Sequence, residues 1–129
     1  MDGIWQEMFR AAKAVQNARK ISKYVSAGGV SAAVLSESGK IYTGVCIETC
    51  STFGICAVRN AVFNMITNGE HKIKRVLAIM PDGSLGAPCG ACRELIVQLM
   101  PDGWYEDVEI LLDYERVVTL EELTPEWWI

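Results

Sequence analysis

The sequence predicts one α/β domain over residues 1–129, with a mixed β-sheet layered between helices. Three observations carry this expectation. Helical and strand-type apolar spacing alternate along the chain in the order α-β-β-α-β-α-β-β-α. The second and third helical segments stand between strand runs, where they can serve as the crossovers that parallel neighbours require. The length of 129 residues, with 50% hydrophobic content, suits one core rather than two.

Each element has its own signal. Within residues 2–24, Ile4, Trp5, Met8, Ala11, Ala12 and Val15 recur at three- and four-residue steps, one face of an amphipathic helix. Gly28 and Gly29 punctuate the chain. Residues 30–37 and 40–48 are β-type runs flanking Ser38-Gly39, which predicts a hairpin. Residues 54–67 return to helical spacing, and Asn68-Gly69 is a helix stop. Residues 73–80 read as a buried strand and 81–88 as a loop. Residues 89–100 form a further helix with Pro88 at its start. Residues 107–113 and 116–119 read as strands, and Thr119 with Glu122 fits a capping box opening a last short helix.

Composition narrows the function classes. Twelve Lys and Arg against 16 Asp and Glu give a net charge of −4, which argues against a protein that coats nucleic acid. No apolar run approaches the ~20 residues of a membrane span. The start MDGIWQEMFR has no basic segment followed by an apolar block, so no secretory signal is expected. The five cysteines are Cys46, Cys50, Cys56, Cys89 and Cys92. An odd number does not read as a disulfide framework. A reduced, cytoplasmic protein with thiolate chemistry or a bound metal fits better, acting on a small molecule rather than on nucleic acid or membrane.

Pro88-Cys89-Gly90-Ala91-Cys92 is the strongest local signal. Two thiols at a helix start can point at one ion, and the unpaired amides and the helix dipole there stabilise thiolates. A redox dithiol and a chance pair of buried cysteines are the other readings of Cys-x-x-Cys. Cys56 favours the metal. It also lies near a predicted helix start, 33 residues before Cys89, and each of the two helices follows a strand. Both starts can therefore lie at one edge of the sheet, where ligand sites of open α/β sheets gather. Three thiolates from two helix starts would form a zinc site with a fourth position open, the pattern of catalytic zinc. Such a site carries net negative charge. Arg59, one turn past Cys56, can compensate it by hydrogen bonds to sulfur, or it is an ordinary surface arginine.

Cys56-Ala57-x-Arg59 followed by Pro88-Cys89-Gly90-Ala91-Cys92-Arg93 resembles the small cytidine deaminase family, which includes blasticidin-S deaminase. The similarity runs from about residue 18 to 128. It takes in Tyr42-Thr43-Gly44-x-x-Ile47-Glu48 and Glu121-Glu122-Leu123-x-Pro125. The resemblance implies a five-stranded mixed sheet between helices, a three-layer α/β/α fold. It implies Zn²⁺ on Cys56, Cys89 and Cys92, and hydrolytic deamination of a cytidine-like substrate. It also implies a homo-oligomer, a tetramer rather than a dimer, with sites at subunit interfaces.

Five positions bear on chemistry and substrate. The family motif reads Cys-Ala-Glu, whereas this chain reads Cys56-Ala57-Val58. In the family that glutamate shuttles protons. Loss of such a general acid/base costs about 10²–10⁴-fold in rate. The resemblance therefore implies a zinc protein that deaminates poorly, or a binding homologue without turnover. Glu48 corresponds to the family's sugar-binding acid. Cys46 stands where the family often has asparagine, which removes half of the ribose contact, and Ala57 adjoins the substrate. Trp128 stands where a family aromatic reaches into a neighbouring subunit's pocket. Glu94 lies about 200° around the helix from Cys92 and is expected to face away from the site. Cys50 and His71 read as loop and surface residues.

Overall fold

The computed structural model describes residues 1–128; Ile129, the last residue of the Glu126-to-Ile129 ending, lies outside the described residues. Helix α1 spans Gly3–Val15. A two-residue strand β1, Arg19–Lys20, precedes β2, Ser26–Ser36, and β3, Ile41–Glu48. Then come α2, Ala57–Thr67, and β4, Ile73–Ile79. The short β5, Leu85–Gly86, leads into α3, Gly90–Leu99. Strands β6, Glu109–Asp113, and β7, Arg116–Thr119, precede the short α4, Leu120–Leu123.

The five expected strands form one mixed sheet in the order β3-β2-β4-β6-β7. Its count is corrected from five to seven by β1 and β5, which pair with β2 and β4. Two-residue strands carry no periodicity, so neither has a sequence signal of its own. β4 and β6 are parallel, with α3 as their crossover. The hairpin of β2 and β3 turns at Gly39, whose φ of 92° is open to glycine.

Alternation along the strands sorts side chains between two faces. Ala32, Val34, Val76, Ala78 and Ile110 pack under α2 and α3. Ala33, Leu35, Leu77, Ile79 and Leu111 pack under α1 with Trp5, Met8 and Ala12. Ile4 and Val15, expected on the inner face of α1, are exposed instead. They sit in its first and last turns, at the margin of the buried stripe.

Asp2 caps α1 by accepting the Trp5 amide at 2.9 Å. Arg75 grips both Asp2 oxygens at 2.9 and 3.0 Å and reaches Glu109 at 3.2 Å. Its guanidinium also lies 4.8 Å from the Trp5 ring centroid, so one residue of β4 locks the start of α1 to the sheet.

Two boundaries differ from expectation for local reasons. Gly28 and Gly29 lie inside β2, at a register shift between Ala27 and Ser31. Gly28 has φ of 87°, and a Cβ there would collide with the Asn17 carbonyl. Helix α2 begins at Ala57 rather than at residue 54, because Ile55 still pairs with Ile47 and Cys56 takes the cap.

Candidate functional site

The site is assembled by two helix starts. Cys56 is the N-cap of α2 and Cys89 the N-cap of α3, each in extended backbone conformation and without a side-chain capping bond. Cys92 lies in the first turn of α3.

Helix α2 is seated by close contact with β3. A Cβ at Gly44 would lie 2.8 Å from the Ala57 carbonyl oxygen and nearer still to the Ala61 amide nitrogen. Asn60 Nδ2 donates to the Val45 carbonyl at 3.0 Å and Asn64 Nδ2 to that of Thr43 at 3.2 Å. The small residue and the two amides fix where α2 begins, and hence where Cys56 projects.

The three sulfurs converge. Cys56 Sγ is 3.5 Å from Cys89 Sγ, which is 3.2 Å from Cys92 Sγ. All three lie within 4.8 Å of one another. Tetrahedral zinc with Zn–S near 2.3 Å spaces its sulfurs about 3.8 Å apart, so the group fits a zinc ion. Among the described residues it is the one group of three or more His, Cys, Asp or Glu ligands so gathered. Cys50 is exposed in the loop between β3 and α2 and stays outside it; His71 is likewise exposed and distant in the chain.

Charge is balanced locally. Arg59 Nη2 donates to Cys56 Sγ at 3.2 Å, and this bond holds the guanidinium above its ordinary pKa. Burial pushes the Cys92 thiol up to about 12, reinforced by Cys89. Burial also raises Cys89, but the Cys92 and Ala91 amides and the neighbouring thiols outweigh it, and its pKa falls below the ordinary thiol range. A dication on the three sulfurs reverses the penalty of gathering thiolates, since a coordinating thiol is deprotonated outright.

A cavity of about 220 Å³ opens beside the sulfurs, lined by Val30, Cys46, Ala57, Val58, Ala78, Met80, Ala87 and Pro88 as well as by the three cysteines. Val58 is 3% exposed, and no carboxylate lines the cavity among the described residues. Cys46 Sγ accepts the Val30 amide at 3.2 Å. Glu48 is exposed at the end of β3 and outside the lining. Trp128, 76% exposed, also lies outside its own chain's cavity, while Trp127 packs on the core.

Val30 and Met80 escaped the sequence reading, though their signal existed. Val30 shares strand parity with Ala32 and Val34, and Met80 with Val76 and Ala78. Gln16 gave no such signal. From the end of α1 its Nε2 donates to the carbonyls of Gly29 and Met80, both at 3.0 Å, and so braces the cavity wall.

A sequence profile described as the cytidine and deoxycytidylate deaminase zinc-binding region matches residues 5–105. The chain is 37% identical over 71 residues to a cytidine deaminase of Sporosarcina psychrophila, a match covering 54% of this chain and 52% of that one. The chain thus matches about half the length of that relative. It is 31% identical over 106 residues to blasticidin-S deaminase of Bacillus cereus, covering 74% of each. In fold it is similar to the crystal structure of cytidine deaminase from Mycobacterium tuberculosis, with a TM-score of 0.78, 23% identity and 99% of both chains covered.

Proposed function

The chain belongs to the cytidine and deoxycytidylate deaminase zinc-binding family, and from that premise we propose a zinc-dependent hydrolytic deaminase of a cytidine-like nucleoside or related aminated heterocycle, impaired by valine at position 58. The reaction class replaces an exocyclic amine by a carbonyl with release of ammonia. Cys56, Cys89 and Cys92 hold the metal in this reading. Zinc bound there supplies Lewis acidity and lowers the pKa of water at the site.

The chain's own residues do the rest. Arg59 offsets the negative charge of the thiolates. Ala57, Val58 and Cys46 shape the wall against which the aminated ring rests. Hydrolysis moves protons onto the ring nitrogen and onto the leaving amine. Valine can neither give nor take a proton, and among the described residues no other acid lines the cavity to substitute. That absence of a carboxylate beside the sulfurs is the observation that carries the reading. It equally favours a second one, in which the chain binds a nucleoside-like ligand at a zinc centre without turning it over.

The cavity is smaller than the ~300–1,000 Å³ that enclose drug-sized ligands, so one chain surrounds the reacting ring and leaves the sugar side open. Glu48 at the strand end serves that side in this reading. Trp128 serves it in a second copy, whose cavity it covers, and the assembly is a homo-oligomer, a tetramer rather than a dimer. The free cysteines suit a reducing cytoplasmic setting. No helix of the described residues is long and apolar enough to cross a membrane.

Ammonia release from cytidine, deoxycytidine and blasticidin S, compared between this chain and Val58→Glu, tests the proposal. A gain of at least about 100-fold on one of them is expected. Ligand binding without turnover by the Val58 chain would select the binding reading. No gain on any of the three would overturn the account of residue 58.

A further inference from the structure

We propose that Glu94 is a positioning residue that clamps the backbone of Trp128, so that this indole is held outward from the chain that carries it. The proposal deepens the reading of Trp128 as a residue presented to a second copy, and rests on it for its functional meaning.

Helix α3 carries Cys89 at its cap and Cys92 in its first turn. Glu94 follows Cys92 by two residues, about 3 Å along the axis and roughly 200° around it. That rotation takes its side chain off the cavity and onto the C-terminal segment. One carboxylate oxygen of Glu94 accepts the Trp128 amide at 3.0 Å. The preceding residue attaches the same segment further back: Arg93 Nη1 donates to the Leu123 carbonyl at 3.1 Å, and its Nε to the Pro88 carbonyl at 2.9 Å. Between these ties, the Trp127 ring packs edge-on against Tyr105 at 6.3 Å.

The last two tryptophans are thus treated in opposite ways. Trp127 is drawn into the core, whereas Trp128 is 76% exposed with its backbone fastened. The segment is fixed at residues 123, 127 and 128. Its reference is the helix that bears two of the three sulfurs, so the indole's position is tied to the metal centre through one rigid element.

The second oxygen of Glu94 sharpens the inference. It is shut off from water and has no hydrogen-bond partner among the described residues. A carboxylate oxygen so placed is a cost to the fold. Stability therefore does not account for this side chain, whereas its role as acceptor for the Trp128 amide does.

Amide hydrogen exchange of the zinc-loaded full chain tests the clamp, read at Trp128 by NMR in the parent, Glu94→Gln and Glu94→Met. Glutamine keeps an oxygen acceptor; methionine has similar length and lacks a good one. Exchange at Trp128 is expected to rise at least about tenfold in the methionine variant and to stay near the parent's rate in the glutamine variant. Zinc content should stay at the parent's level and the melting temperature should not fall. Cytidine titrated by calorimetry should bind several-fold more weakly to Glu94→Met and normally to Glu94→Gln. Unchanged Trp128 exchange in Glu94→Met would overturn the clamp, whatever cytidine does. Accelerated exchange with undiminished cytidine affinity would leave the clamp standing and contradict the reading of Trp128 instead.

Discussion

Arg59 Nη2 stands 3.2 Å from Cys56 Sγ, one turn along the helix that Cys56 caps. A dication on three thiolates would keep a net charge of −1, and we propose this guanidinium as the cation that answers it. Partners that orient or polarise a metal ligand are worth about 10–100-fold in metal affinity. We expect Arg59→Gln to weaken zinc binding by that factor, measured by competition with a chromophoric chelator. Affinity equal to the parent's would make Arg59 a bystander.

The close approach of β3 and α2 at Gly44 yields a second prediction. A methyl group there meets backbone atoms of Ala57 and Ala61, which cannot swing aside as a flexible side chain would. Overpacking of this kind costs about 1–3 kcal/mol. Gly44→Ala should therefore lower the denaturation midpoint and also weaken zinc binding, because the displaced element begins with Cys56. Loss of stability with zinc affinity intact would show that α2 shifts without disturbing its cap.

Asp2 provides a pH test. The Trp5 amide foremost, and Arg75 beside it, hold its carboxyl below the ordinary carboxylate range against a smaller opposing effect of desolvation. Because the folded-state value lies below the unfolded one, the stability it contributes is present above about pH 4. It is lost as pH falls through the folded value. The melting temperatures of the parent and Asp2→Asn should differ near neutral pH and converge as the solution is acidified below about pH 4. A gap that persists down to about pH 2 would contradict this assignment.

Much of this arrangement is written in local sequence. Cys89 and Cys92 announce themselves through the short spacing after Pro88, and Cys56 through its place before a helical run, because a helix cap is a local event. Helical spacing marks α1 and α2 and Pro88 marks the start of α3, although α2 begins later than expected because Ile55 pairs with Ile47. β1 and β5 were not legible, since two residues cannot display a period. The brace from Gln16 to Met80 spans 64 residues, and the contact of Glu94 with Trp128 spans 34. Both depend on the finished fold, and nothing near either residue in the chain hints at its partner. Val30 and Met80 fall between these cases: strand parity encodes which face they occupy, and only the assembled sheet makes that face a cavity wall.

The account stands or falls on three sulfurs holding one zinc ion with room for one more ligand. X-ray absorption at the zinc edge of freshly purified protein, with metal quantified per chain, addresses it most directly. The expected result is one zinc per chain with three sulfur neighbours near 2.3 Å and one lighter atom, reduced to two sulfurs in Cys89→Ser. A protein without zinc, or zinc surrounded by four sulfurs, would contradict it.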